Sequence, residues 1–213
     1  MSDDDEQRQP PPPMDLREAV GGPLGIAETA LPGVAFVIAY TASGSNTNTA
    51  AIVAVALALV LTIARLAKRE TTLHAISGLV GVGIAAFIAT RSGRAENFFL
   101  PGLLMNAAYA AAFVISIVVK HPLVGVIVAN LDGEGSAWRR DPQRARAFVL
   151  ASWLWAGLFT LRLVVQLPLY LTHSVVALGV VKTAMGIPLF VIGIWLTWLI
   201  VRRHRTPAAV AEA

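Results

Sequence analysis

Six apolar stretches, each close to the length that crosses a bilayer, constrain this chain more than any other feature. They run Ile26–Ala42, Ala50–Leu66, Leu73–Thr90, Phe98–Val119, Ala147–Leu171 and Val175–Val201. A hydrocarbon core of about 30 Å takes about 20 residues of helix. Inside it no water satisfies backbone groups, so only helices and closed barrels can span. A soluble core has no need of such blocks, and charged residues make up only 14% of the chain, against about 25% in soluble domains. The pattern predicts an all-α integral membrane protein with six transmembrane helices and a membrane domain over residues 26–201.

The charges predict which way the helices run. Six spans put both termini on one side. That side carries thirteen of the seventeen Lys and Arg residues, in the tails and in the second-to-third and fourth-to-fifth connections; the opposite face carries only Arg91 and Arg94. Positive residues accumulate on the cytoplasmic side of membrane proteins. Both termini are therefore expected in the cytoplasm, in a multi-pass protein of the bacterial cytoplasmic (inner) membrane. The basic balance follows topology and does not suggest a nucleic-acid partner; the partner implied is the lipid bilayer. The N-terminus begins Asp3-Asp-Asp-Glu6, where a cleavable signal would be basic. No cysteine is present, which excludes disulfides, thiolate metal sites and cysteine nucleophiles.

Residues 1–25 read as a disordered acidic and Pro-rich cytoplasmic tail (Pro10–Pro13) followed by an interfacial segment, and 202–213 as a cytoplasmic C-terminal tail. Within 122–146, the apolar run Pro122–Leu131 is too short to cross and is expected to be interfacial or re-entrant. Asp141-Pro142 reads as a helix start, with aspartate as N-cap and proline in the first turn. Trp138, Arg139, Arg140, Arg144 and Arg146 form an expected lipid-headgroup surface, since each basic residue near an anionic surface contributes roughly 1 kcal/mol. The small residues of the third span (Gly78, Gly81, Gly83, Ala85, Ala86) read as helix-packing surface. The last span is longer than a bilayer requires, so it should tilt, or bend at Gly186-Ile-Pro188.

Two cations fall where the bilayer is driest. Arg162 lies about 13 Å in from the end of the fifth span and Lys182 about 12 Å into the sixth, at 1.5 Å per residue. A short hairpin makes those helices neighbours, so the cations share a depth. Each costs roughly 2.5–3.5 kcal/mol at mid-bilayer on the lenient insertion scale. Gln166 is one turn outward on the face of Arg162. Glu28 is the only acid inside a span, and Asn106 is a polar residue within the fourth. These five form the candidate intramembrane polar site. Its charges are met either structurally, by Glu28, backbone carbonyls or snorkelling of Lys182, or by an exogenous anion held between Arg162 and Lys182. Arg94 and Glu96 are the densest polar cluster on the outer loop and read as a local ion pair. No metal or cofactor is expected: the four histidines lie at span ends without ligand spacing, and no nucleophile elbow, P-loop or dinucleotide-binding glycine pattern appears. No catalytic residue can be named, so the chain is expected not to be an enzyme.

A weak repeat runs through the chain. Leu31-Pro-Gly leads to Tyr40 in the first span and Leu100-Pro-Gly leads to Tyr109 in the fourth. Gly83-Ile-Ala-Ala-Phe87 in the third matches Gly186-Ile-Pro-Leu-Phe190 in the sixth. Spans one to three would then correspond to four to six as two inverted three-helix repeats, an arrangement seen in transporters.

Several segments carry a family resemblance: Arg65-Leu-Ala-Lys68-Arg69, Asn97-Phe98-Phe99-Leu100-Pro101, Lys120-His-Pro122-Leu123-Val124, Trp138-Arg139-Arg140, Leu154-Trp155-Ala156-Gly157-Leu158-Phe159 and Val181-Lys182-Thr-Ala-Met-Gly186. From about Leu31 to Val201 the chain resembles the intracellular septation protein A family of bacterial inner-membrane proteins. More closely, it resembles an actinobacterial branch known as a domain of unknown function. Lys182 matches a family lysine and Gln166 stands where that family has asparagine. Arg162 occupies an uncharged family position, and Phe98-Phe99-Leu100 replaces lysines before the fourth span. The resemblance implies a non-enzymatic role in cell-envelope maintenance or septation, through contacts with other envelope or division membrane proteins. The alternative drawn from the residues is a small transporter or flippase for an anionic compound or lipid.

Overall fold

The computed structural model describes residues 22–67, 72–131 and 137–202, with side chains for 30–67, 76–130 and 138–202. The acidic tail, Lys68–Arg69, Asp132–Gly135 and the residues after Arg202 lie outside the described residues, and of Glu28 and His74 only the backbone is described. The described chain is all-helical: α1 (Gly22–Ala42), α2 (Thr47–Ala67), α3 (Thr72–Ser92), a 3-10 turn (Ala95–Phe99), α4 (Leu100–Val118), α5 (Leu123–Leu131), a second 3-10 turn (Ala137–Arg140), α6 (Pro142–Leu171), α7 (Val175–Ala184) and α8 (Ile187–Arg202). Four segments are long and apolar enough to cross a membrane: Thr47–Ala67, Ala95–Val118, Pro142–Leu171 and Val175–Arg202. The described parts of α1 and α3, Ala30–Ala42 and Ile76–Ser92, are shorter apolar helices. By helix length and hydropathy this is a multi-pass membrane protein.

Local chemistry sets the boundaries. Asp141 caps α6, its carboxylate accepting from the N–H groups of Gln143 and Arg144 at 2.8 and 3.4 Å, with Pro142 in the first turn. Asn46 does the same for α2, its Oδ1 accepting from the Thr49 N–H at 3.0 Å. The sixth apolar stretch is two helices, interrupted by a turn at Met185–Gly186 with Pro188 in the first turn of α8. Proline there has no N–H to lose and a fixed φ suited to a helix start. The short α5 does not cross. Its first N–H groups, orphaned at a helix start, are met by serine hydroxyls: Leu123 donates to Ser116 Oγ at 3.2 Å and Val124 to Ser152 Oγ at 3.3 Å.

The long helices pack as two triples, with the interrupted α7–α8 segment counting as one and the short α5 lying against α6. In the first, α2 contacts both α1 and α3; in the second, α6 contacts α4, α7 and α8. The triples meet where α1 lies on α7 and where α3 lies on the first 3-10 turn. One apolar core sits near the end predicted to face outward, built on Phe36, Phe98, Phe99 and Leu178 with Ala50, Ala51, Ala54 and Ala89. The Phe36 and Phe98 rings stack at 4.0 Å, and Phe99 meets both edge-on. A second core, toward the opposite end, joins Val124, Ala129, Trp138, Phe148 and Ala151. Between them Phe113 of α4 stacks with Trp155 and Phe159 of α6, Tyr109 lies tilted against Phe159, and Phe190 of α8 meets Trp155 edge-on.

Close packing uses different small residues from those the sequence suggested. A β-carbon at Gly78, Gly81 or Gly83 would meet nothing within 4 Å, and only Ala85 and Ala86 of that set are buried. The tight face is instead Ala50, Ala54 and Ala58 of α2, spaced four apart and buried, which lets neighbouring backbones approach. The tightest glycine contact among the described residues is at Gly179, where a β-carbon would overlap Val37 Cγ2. Gly179→Ala is therefore expected to lower the unfolding free energy in detergent by roughly 1–3 kcal/mol, with Val37→Ala recovering part of the loss. Gly78→Ala should stay within about 0.5 kcal/mol of the parent.

Candidate functional site

The break between α7 and α8 brings the two intramembrane cations to one place. Lys182 is in the last turn of α7. Its ammonium stands 5.1 Å from the centre of the Phe99 ring and lies against Gly102 of α4, where a β-carbon would sit 3.3 Å from Nζ. A ring face attracts a cation most strongly where water is excluded, and the missing side chain at Gly102 makes the room. Arg162 approaches from α6. Its Nη2 is 3.6 Å from where a β-carbon on Gly186 would be, and the Lys182 carbonyl oxygen is 3.2 Å from the same point. Two like charges at a helix break inside hydrocarbon repel and need a counter-charge or a hydrogen-bond acceptor.

No acceptor for them appears among the described residues. Arg162 Nε and Gln166 Nε2 are both buried and both lack a hydrogen-bond partner there. Gln166 is only 2% exposed. A buried amide donor left unpaired costs about 1–3 kcal/mol, and a charged group more. Asn106, one turn along α4 from Gly102, is half-buried. The arrangement presents donors from α6 and α7 beside a break at Gly186, chemistry suited to an oxyanion; no contact brings the Asn106 side chain to them. The Glu28 side chain lies outside the described residues, although its helix, α1, packs on α7.

The polar cluster at the start of the 3-10 turn extends beyond Arg94 and Glu96. Glu96 is 4% exposed; its Oε1 accepts from Arg94 Nε at 2.7 Å and lies 2.5 Å from His173 Nδ1. Arg94 Nη2 is 2.9 Å from that same Nδ1. One nitrogen cannot donate to a carboxylate and accept from a guanidinium together. The shorter contact to Glu96 places the proton on Nδ1 and leaves Arg94 Nη2 as a close neighbour. Beside them Tyr170 donates to Asn97 Oδ1 at 2.6 Å, and Asn97 Nδ2 donates to Ser92 Oγ at 2.8 Å. This network ties the end of α3, the 3-10 turn and the α6–α7 hairpin together. Asn97, Tyr170 and His173 were not marked by the sequence; their one signal was that all three are polar residues at span ends predicted to lie on the same side.

At the other end Trp138 is 4% exposed. It packs edge-on against Phe148 at 5.2 Å and does not face headgroups. Arg139, Arg140 and Arg146 are exposed and Arg144 is half-buried, with Arg139 over the Trp138 ring and Arg144 over Phe148. The tryptophan thus anchors the turn from beneath while the arginines form its surface. Because the Tyr170 hydrogen bond ties the end of α6 to the 3-10 turn, Tyr170→Phe is expected to cost about 0.6–1.7 kcal/mol of unfolding free energy in detergent. Its double mutant with Asn97→Ala should cost little more than Asn97→Ala alone.

No curated protein and no solved structure matches the chain. A family model described as "Protein of unknown function (DUF3159)" matches residues 20–208, and the chain belongs to that family.

Proposed function

We propose that this protein crosses the bacterial cytoplasmic membrane six times, with both termini inside, and holds an anionic compound or lipid between Arg162 and Lys182 as a small transporter or flippase. The observation that carries this is the pair of buried nitrogens, Arg162 Nε and Gln166 Nε2, without partners among the described residues beside a broken helix. A protein that needed these groups only for packing would be expected to satisfy them.

Three further features support it. Helices α1 and α3 are each 21 residues long, about 30 Å at 1.5 Å per residue, enough to add two spans to the four. The excess of Lys and Arg at one end supports cytoplasmic termini. Each triple packs around its middle helix, and the α1–α7 contact is matched by that of α3 with the 3-10 turn leading into α4. That exchange is what two inverted three-helix repeats would give. Transporters of this kind bind substrate at helices broken near mid-membrane. Here the break is on one side of the repeat only, since α3 runs unbroken through Gly83.

A second reading is a non-enzymatic role in envelope maintenance or septation, as the resemblance to the septation family suggests. It is favoured by the rigid basic surface at Arg139 and Arg140, fixed from below by the buried Trp138, which suits anionic headgroups or other envelope or division membrane proteins.

The two readings separate in vesicles containing fluorescently labelled phosphatidylglycerol. The purified protein is expected to move the label across the bilayer faster than protein-free vesicles do. Arg162→Leu and Lys182→Leu should each lower the rate at least about tenfold, equivalent to 1.4 kcal/mol, at parental abundance. Rates that match the parent in both variants would rule out anion carriage by these residues. Rates that fall only in step with the amount of folded protein would assign the cations to structure.

A further inference from the structure

Arg162 and Lys182 bring two positive charges to the α7–α8 break, and no described carboxylate answers them. Among the described side chains only Glu96 and Asp141 are acidic. Glu96 is held by Arg94 and His173 at the outer end, and Asp141 caps α6 at the opposite one. Glu28 is the one other acid within the apolar stretches, and its helix sets it at a different level. Helices α1 and α7 run antiparallel, since Tyr40 shares a groove with His173 and Val175 while Gly179 lies against Val37. From the Val37 contact, Glu28 lies about 14 Å along α1 toward the predicted cytoplasmic end, and Lys182 only about 5 Å along α7, at 1.5 Å per residue.

Three side chains offer donors at the break. Arg162 Nε and Gln166 Nε2 are buried and without partners among the described residues, and the two residues lie one turn apart on one face of α6. Gln166 is 2% exposed, so bulk water does not reach its amide. The Lys182 ammonium meets the Phe99 ring and the space at Gly102, and an aromatic face supplies no formal counter-charge.

Given anion carriage by Arg162 and Lys182, on which this assignment rests, we propose that the ligand carries two negative charges on one centre. It is a phosphate monoester or free phosphate, in preference to a phosphodiester or another monoanion. Charge balance favours the dianion. A monoanion between two cations leaves one charge uncompensated in a medium where buried charges must be paired; a dianion leaves none. Oxygen count points the same way. A monoester presents three terminal oxygens, one each for Arg162, Gln166 and Lys182, and a diester has one fewer. Gln166 adds a hydrogen bond without adding a further positive charge. Guanidinium and ammonium groups donate the short, strong hydrogen bonds that phosphate oxygens accept. A lipid headgroup ending in phosphate and the free ion share this chemistry.

Calorimetric titration of the full-length protein in phosphatidylcholine nanodiscs, at about pH 8 where a phosphate monoester carries close to two charges, separates these ligands. Short-chain phosphatidic acid binding at least about tenfold more tightly than short-chain phosphatidylglycerol assigns the lipid headgroup. Inorganic phosphate binding as tightly as phosphatidic acid, and at least about tenfold more tightly than nitrate, assigns the free ion. Gln166→Leu, checked for a parental elution profile, should weaken that binding about tenfold. It should leave the melting temperature of the unliganded protein unchanged or higher, because it removes an unpaired buried donor. Gln166→Glu places one negative charge a turn from Arg162 and should abolish the preference for the doubly charged probe. A preference retained in Gln166→Glu would overturn the proposal. So would equal affinity of the parent for phosphatidic acid and phosphatidylglycerol, and for phosphate and nitrate; if Arg162→Leu removes that equal binding, anion carriage still stands. Binding of none of the four probes would overturn both.

Discussion

A charge inside hydrocarbon must be met by something, and this structure is arranged around that requirement at Arg162 and Lys182. Leaving either cation in lipid costs several kcal/mol, a sizeable part of the 5–15 kcal/mol that holds a typical domain folded. Lys182 is partly met by the face of Phe99 and by the space at Gly102. Arg162 reaches the break at Gly186, yet its Nε has no partner among the described residues. At the start of α5, by contrast, Ser116 and Ser152 each accept an orphaned N–H. The proposed anion site rests on that contrast between satisfied N–H groups at a helix start and unpartnered side-chain nitrogens at the centre.

Packing explains how the centre is held. Aromatic rings fill the space between α4, α6 and α8, while Trp155 also donates from its indole N–H to Thr197 at 3.0 Å. Gly193 admits this contact, since a β-carbon there would come within 2.7 Å of Leu158. One core lies toward each end of the helices. The interrupted α7–α8 segment is less enclosed than the other three long spans. Few of its α8 side chains are buried, with Trp195 and Trp198 directed outward to where lipid lies.

Much of this was legible in the sequence because it depends on local pattern. Apolar runs announced the helices, Asp141-Pro142 announced the start of α6, and Gly186-Ile-Pro188 marked where the last stretch is interrupted. The common depth of Arg162 and Lys182 followed from counting residues along a hairpin. What stayed hidden depends on choice of partner across the fold. Glu96 reads locally as the partner of Arg94, two residues away, and nothing near it points to His173. Trp138 beside Arg139 and Arg140 has the composition of a membrane surface, and only the position of Phe148 turns it inward. The glycines of α3 and the alanines of α2 are equally small. Which of them meets a neighbouring helix is decided by rotation about the helix axis, which an apolar sequence barely encodes.

The most direct measurement is an experimental density map of the full-length protein in lipid nanodiscs, focused on the space bounded by Arg162, Gln166 and Lys182. Bound non-protein density within hydrogen-bond distance of Arg162 Nε and Gln166 Nε2, lost in Arg162→Leu, is the predicted result. The Glu28 carboxylate occupying that space and satisfying both nitrogens would contradict it, and would make the cation pair part of the scaffold.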